Sequence, residues 1–268
     1  MISEVLSIVA VLGSMQPGWM SPDAGRDIRC VRAGNIVIEV TVSDSTGSGA
    51  SQTDDLEAAA KHMSRGSRHL DNGNYDAALA EYTLALDRDP NSWVAFLLRA
   101  YLYQLQKEYR LAIDDLDKSI ELNPTVEAHV MRGVAYAFSG DDAAALKDYV
   151  VAIGIDPDYG STYKQRAYIY LRQGNFARAE ADIQEAVRLL PDDLEVQHSF
   201  GDVLFYAGKM DAAERQWKKM CAVADSKITM NWQRRLAATG RYHGSIDGDC
   251  DRELIEAFAA CARNKCQF

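Results

Sequence analysis

The sequence predicts an all-α fold, a solenoid of five helical hairpins followed by a small α-helical C-terminal unit. Three observations carry it. Proline recurs at Pro90, Pro124, Pro157 and Pro191, at spacings of 34, 33 and 34 residues. A small residue recurs at Gly66, Ala100, Gly133, Ala167 and Gly201, and alanine at Ala78, Ala112, Ala145, Ala179 and Ala213. Self-similarity at a fixed period of this length marks a repeat architecture.

Each recurrence has a physical reason. The small residue on a first helix and the alanine on a second let two backbones approach closely. Four residues beyond each alanine stands a large apolar residue, Tyr82, Leu116, Tyr149, Ile183 or Trp217, which fills the space so created. Between the helices sit Gly73, Lys107, Gly140, Gly174 and Gly208, four glycines out of five where a helix must stop. Proline ends the second helix and fixes the entry to the next hairpin. Ten antiparallel helices are therefore predicted from about 57 to 222, with breaks at these five positions.

This pattern resembles the tetratricopeptide repeat over residues 57–222. The resemblance implies a right-handed solenoid and a concave face, lined by the first helices, that holds peptides or partner proteins. The residues placed there are Met63, Leu97, Tyr101, Val130, Val134, Phe138, Tyr168, Leu171, Phe205 and Tyr206, an apolar and aromatic stripe with few charges. Chaperone-binding members clamp a C-terminal carboxylate with Lys and Asn. Leu97, Tyr101 and Val130 stand in those places here, which argues against that specialisation. The alternative is that the N-terminal strand or the C-terminal unit covers the stripe within the chain.

Arginine precedes the small residue in four repeats, at Arg65, Arg99, Arg132 and Arg166. Sixteen residues beyond each lies an acid: Glu81, Asp115, Asp148 and Asp182. The fifth repeat loses both together, to Phe200 and Gln216, so the two columns are read as Arg–carboxylate pairs joining first to second helices. An arginine-lined groove for an anion is the rival reading.

The flanks differ. Residues 1–56 form an N-terminal segment, of which 14–56 hold no helical periodicity. Val5–Gly13 is an apolar run with the length of a signal-peptide core and too short for a membrane span. Glu4 stands where such a signal carries a positive charge, so a misassigned start is the other reading. Ile36–Val42 reads as one β-strand, and Ser43–Ser51 as a flexible linker.

Residues 223–268 form the C-terminal unit: a helix carrying Trp232-Gln233, a loop with Gly240, Tyr242, Gly244 and Ile246-Asp247-Gly248, then a helix from about Asp251 to Arg263. Over 231–261 it resembles the helical peptidoglycan-binding-like module of bacterial envelope proteins. That likeness implies glycan contacts through Trp232, Tyr242, Gly244 and Asp247. The family's Phe-Gly pair and Thr are replaced by Cys250-Asp251 and Leu254, which opens a second reading, a cap on the last repeat. Leu236, Ile246, Leu254 and Phe258 are expected to form its core. Cys221, Cys250, Cys261 and Cys266 are disulfide candidates, and Cys30 stands apart. A helix between Cys250 and Cys261 makes that pair the least favoured, leaving Cys221 joined to Cys250 or Cys261 and Cys266 closing the other pair. Paired cysteines point to a periplasmic or secreted protein. Free thiols would mean the cytoplasm.

Composition excludes several classes. The 268 residues carry a net charge of −10, unsuited to nucleic acid. The five histidines show no metal-binding spacing, and neither a phosphate loop nor a nucleophile elbow occurs. No enzyme activity, metal or cofactor is expected. The reading is a non-enzymatic protein-interaction scaffold of the bacterial envelope, with a peptidoglycan anchor as its rival.

Overall fold

A computed structural model describes residues 27–33, 36–42 and 50–263, with side chains from 54 to 263. The apolar run at 5–13, most of the expected linker and Cys266 lie outside the described residues. Two strands come first, β1 (Asp27–Ala33) and β2 (Ile36–Val42), paired antiparallel with Asp27 opposite Val42 and Ala33 opposite Ile36. The strand expected at 36–42 is present. Its partner was not foreseen, because Asp27–Ala33 carries two arginines and a cysteine among its seven residues.

From Ala50 onward the chain is helical. The hairpins are α1 (Ala50–Asp71) with α2 (Tyr75–Arg88), α3 (Trp93–Leu105) with α4 (Tyr109–Leu122), and α5 (Val126–Ser139) with α6 (Asp142–Ile155). Then follow α7 (Gly160–Arg172) with α8 (Phe176–Leu189), α9 (Leu194–Tyr206) with α10 (Met210–Val223), and the tail helices α11 (Ser226–Ala238) and α12 (Arg252–Arg263). α1 begins seven residues earlier than expected, taking in the end of the Ser43–Ser51 segment. The described residues form two compact units, dividing inside α6 between Ala152 and Ile153.

The breaks fall where the sequence places them. Gly73, Gly140, Gly174 and Gly208 all take positive φ, and Lys107 adopts φ 64° at the equivalent place. Helices stop at Leu122 and Ile155, ahead of Pro124 and Pro157. After three of the prolines a side-chain cap starts the next helix. Ser92 accepts from Ala95 N, Thr125 from Ala128 N, and Asp193 from Glu195 N and Val196 N.

Packing inside each hairpin turns on the small residue. An ideal Cβ at Gly66 would lie 2.5 Å from Tyr82 Cε1, and one at Gly133 would lie 2.5 Å from Tyr149 Cε1. One at Gly201 would fall on the Trp217 indole. Where the small residue is alanine, at Ala100 and Ala167, the opposing residue shrinks to Leu116 and Ile183. All five large residues are buried. Burial also pushes the Tyr82 hydroxyl up to about 12, and Ser67 only partly offsets that.

The arginine columns resolve into ion pairs within hairpins. Arg99 Nε and Nη2 donate to Asp115 at 2.7 and 2.8 Å, and Arg166 makes the same fork to Asp182 at 2.7 and 2.8 Å. Arg132 donates to Asp148 at 2.9 and 2.7 Å, and its Nη1 reaches Asp117 at 2.7 Å. In the first hairpin the fork is absent: Arg65 Nε stands 3.5 Å from Glu81, which His62 contacts at 2.7 Å. In the fifth, Gln216 donates to Gln197 instead. An arginine-lined anion groove is not what these side chains form.

This packing can be tested at two places. Gly133→Ala gains about 1 kcal/mol of helix propensity but drives a methyl into a ring that cannot move, for a net loss of about 1–2 kcal/mol. Adding Tyr149→Leu recreates the Ala–Leu pair of the second hairpin, and chemical denaturation should show most of the loss restored. The second place is Asp148. Burial raises its carboxyl, but hydrogen bonds from Arg132 and His129, with their charges, outweigh it, so its pKa lies below the usual range. A depressed carboxyl stabilises the fold above its unfolded value of about 3.9 and loses that effect as pH falls through the folded value. Arg132 is one-fifth exposed, with side-chain exposure of 20%, so Asp148→Asn should cost about 2–3 kcal/mol at neutral pH, below the full cost of a buried pair. Denaturation curves of parent and variant should converge as pH drops below about 4.

Candidate interaction face

The expected stripe divides by unit. In the first, Leu97 is 2% exposed, and Met63, Tyr101, Val130 and Val134 are likewise buried. This part of the stripe is not an open surface. Phe138 is half-buried with its ring stacked on Tyr109 at 5.4 Å. In the second unit Tyr168 is 37% exposed, and Leu171, Phe205 and Tyr206 are half-buried. The Arg172 guanidinium lies over the Tyr168 ring at 5.6 Å. Phe205 meets Tyr206 edge-on at 5.6 Å, and the Tyr206 hydroxyl donates to Ala262 O on α12 at 2.5 Å.

The second unit is also more polar than expected. Counting by the repeat, one column reads Leu97, Val130, Lys164, His198, and the next reads Tyr101, Val134, Tyr168, Asp202. Lys164, nearly buried, pairs with Glu195 at 3.1 Å and so ties α7 to α9. His198 Nδ1 stands 3.4 Å from Asp202 Oδ2. Burial pushes the Asp202 carboxyl up, against a partial pull from the His198 charge. Reading each column through to its last member would have found these three. Selecting apolar residues by type passed over them.

The tail's motif residues serve the fold. Gln233 is buried, and its Nε2 reaches the Tyr242 hydroxyl, Asp247 Oδ1 and Asp249 O at 3.1, 3.0 and 2.9 Å. Its Oε1 accepts from Gly248 N at 2.9 Å. Tyr242 is buried and donates to Ser245 O at 2.7 Å, while a Cβ at Gly244 would lie 2.6 Å from that hydroxyl oxygen. Asp247 is held below the usual carboxylate range by the Asp249 N–H and by Gln233. Trp232 is half-buried, its ring 5.8 Å from Phe258. Ile246, expected in the core, is 44% exposed, because the loop turns it outward while Tyr242 and Ile255 take the interior with Leu236, Leu254 and Phe258.

One apolar cluster joins this tail to the last hairpin. It contains Leu204, Trp217, Met220, Cys221, Leu236, Leu254, Phe258 and Cys261, with Phe205 and Trp232 against it. Cys221 at the end of α10 is bonded to Cys250 in the loop, one of the two pairings left open, and Cys261 is itself disulfide-bonded. Its expected partner, Cys266, lies outside the described residues. Among the described residues no three His, Cys, Asp or Glu are grouped to hold a metal ion, and no helix is long and apolar enough to cross a membrane.

Comparison with known proteins places the repeats. Tetratricopeptide repeat models match residues 63–125, 126–159 and 161–193. Tetratricopeptide repeat protein 6 of Homo sapiens is 28% identical over 121 residues, covering 45% of this chain and 23% of that protein. Mitochondrial import receptor subunit TOM70 of Homo sapiens is 28% identical over 136 residues, 48% of this chain and 22% of that one. The chain thus spans less than a quarter of the length of these relatives. Among solved structures, MamA from Desulfovibrio magneticus RS-1 aligns with a TM-score of 0.54 at 17% identity, over 61% of this chain and 93% of that one. A thermophilic repeat protein of Thermus thermophilus gives 0.53 at 21%, over 65% and 91%. These two likenesses concern the fold. With the hairpins, their 33–34-residue period and the three matches in register, residues 63–193 are tetratricopeptide repeats.

Proposed function

We propose that the chain is a non-enzymatic scaffold of the bacterial envelope that holds a protein or peptide partner against the first helices of its repeats. The observation that carries this is the face of the second unit, where Tyr168, Leu171, Phe205 and Tyr206 keep apolar and aromatic surface in reach of solvent. Aromatic side chains supply large contact area at low entropic cost, which suits a docking surface. The envelope reading draws on the bonded cysteines of the tail and on the apolar run at 5–13.

The experiment is affinity capture with the intact protein and with Tyr168→Ala/Leu171→Ala. Both side chains are at least partly exposed, so the double variant should keep its melting temperature and lose the partner. Retention of the same partner by that variant would remove this face from consideration.

A second reading gives the tail a role in binding peptidoglycan. Against it stand the burial of Tyr242, the coverage of Trp232 by Phe258, and the use of Asp247 inside the loop. The favoured role is a cap. A terminal repeat has an outer apolar face without a neighbour and needs one. Deleting residues 227–268 should lower the melting temperature of the repeats and leave pelleting with sacculi unchanged. An unchanged melting temperature with loss of pelleting would reverse the two roles. Native protein made under oxidising conditions should show at most one free thiol by mass spectrometry, and five would place it in the cytoplasm.

A further inference from the structure

We propose that the corner between α10 and α11 docks on the surface of an anionic lipid bilayer, with its lysines and arginines on lipid phosphates and Val223 dipping below them. The corner uses other residues than the first-helix face, and the inference does not rest on the partner-binding reading.

Residues Arg215–Arg241 hold seven Lys or Arg against a single acid, Asp225, in a chain of net charge −10. Asp225 is engaged as the N-cap of α11, accepting from Ile228 N at 2.8 Å. On α10 the exposed Arg215 and Lys219 stand one turn apart. On α11 the exposed Lys227, Arg234 and Arg235 share a face at helical spacing. The opposite faces of both helices, with Trp217, Met220 and Leu236, enter one apolar cluster, so the basic faces point away from it. Among the described residues Arg215, Lys219, Lys227 and Arg234 are ion-paired to no acid. Lys218 has only an exposed Glu214 at 3.9 Å, and the loop acid Asp247 is held by Gln233 on the buried side of α11.

A second observation lies at the apex. Val223 is 70% exposed, more than any other large apolar side chain described, and Ile228 follows it across the corner at 36%. The backbone that presents them is fixed from within by the Cys221–Cys250 bond and by the buried Met220 and Thr229. Apolar side chains at the tip of a basic surface match a bilayer interface, where Lys and Arg meet anionic headgroups and apolar groups reach the acyl boundary. The long stems of Lys and Arg let their charges stay at headgroup level while the tip sinks. An acidic peptide would use the charges and leave Val223 in water. Nucleic acid would find no ring to stack on, because Trp217 and Trp232 both pack against Phe258.

The test is co-sedimentation of the full chain with vesicles of phosphatidylcholine alone, or of phosphatidylcholine and phosphatidylglycerol in equal parts. Binding is expected to the second kind only, and to fall steeply at about 0.5 M salt. Each Lys or Arg near such a surface is worth about fivefold in affinity, so Lys219→Glu/Lys227→Glu should bind at least about 25-fold more weakly. Neither lysine is ion-paired, so its melting temperature should stay that of the parent, and Lys219→Ala/Lys227→Ala repeats the test should it fall. Val223→Ser keeps every charge and should bind about fivefold more weakly. Tyr168→Ala/Leu171→Ala should bind vesicles as the parent does. Equal binding to both vesicles, binding to neither, or full binding by the lysine variants overturns the proposal. So does full binding by Val223→Ser together with capture of the corner by a poly-glutamate peptide, which would make it a site for an acidic protein. Loss of vesicle binding in Tyr168→Ala/Leu171→Ala overturns it as well, by moving the contact to the first-helix face.

Discussion

Two helices of a hairpin touch most closely at one point, and the rest of each repeat is arranged around it. Gly66 against Tyr82, Gly133 against Tyr149 and Gly201 against Trp217 leave no room for a methyl, whereas Ala100 and Ala167 stand against Leu116 and Ile183. Size lost on one helix is returned on the other, as close packing requires. The same separation of sixteen residues that joins small to large joins arginine to acid one step earlier in the chain. The ion pair therefore flanks the tight contact and inherits its geometry. Arg99 and Arg166 reach both oxygens of their partners at nearly identical distances because the backbones beneath them are held in the same way.

Around that fork the repeats use different neighbours for one purpose. Three residues before each arginine, or before Phe200 in the last repeat, stand His62, Phe96, His129, Tyr163 and Gln197. His129 joins Asp148 at 3.1 Å, giving the buried carboxylate a further partner. Phe96 and Tyr163 lie under Arg99 and Arg166 at 5.8 and 5.7 Å instead, so there the cation rather than the anion is supported. In the fifth repeat arginine and acid are both gone, and the glutamine at this place takes over the bond to the second helix. Exposure sets what each arrangement contributes: the Arg65 pair, 47% exposed at the arginine, is of the class worth under about 1 kcal/mol.

Periodicity made the helices, their breaks and the ion pairs legible, because each is decided by contacts that recur every 33 or 34 residues. The face was less so. Burial of Leu97, Tyr101, Val130 and Val134 depends on what else in the chain reaches them, and that is not local information. Lys164, His198 and Asp202 share columns with apolar residues, so a search for an apolar stripe discards the positions where the surface changes character. β1 was missed for a similar reason, since Asp27–Ala33 has no period of its own and is recognisable only through its partner β2. Ile246 was assigned to the core on hydrophobicity alone. The bonds Gln233 makes to the surrounding loop leave it on the outside.

The tail is packed onto the last hairpin through one helix. α12 reaches both helices of the last hairpin, through Tyr206 to Ala262 and through Phe258, which lies 6.2 Å from Trp217 and 5.2 Å from His198. Leu236 and Trp232 of α11 belong to the same apolar cluster. A unit with so small a core depends on being fastened. The Cys221–Cys250 bond closes a loop spanning 29 positions, an effect of about 3–4 kcal/mol on the unfolded chain in the entropic account. Its anchor is the helix that carries Trp217, so the bond fixes the loop to the element whose apolar side α12 covers. Cys250 stands where the resembled module has its Phe-Gly pair, and the buried residues Gln233, Tyr242 and Leu254 hold the loop from within. Tyr242 and Asp247, two of the residues that the resemblance gives to glycan contacts, are both bonded inside the loop.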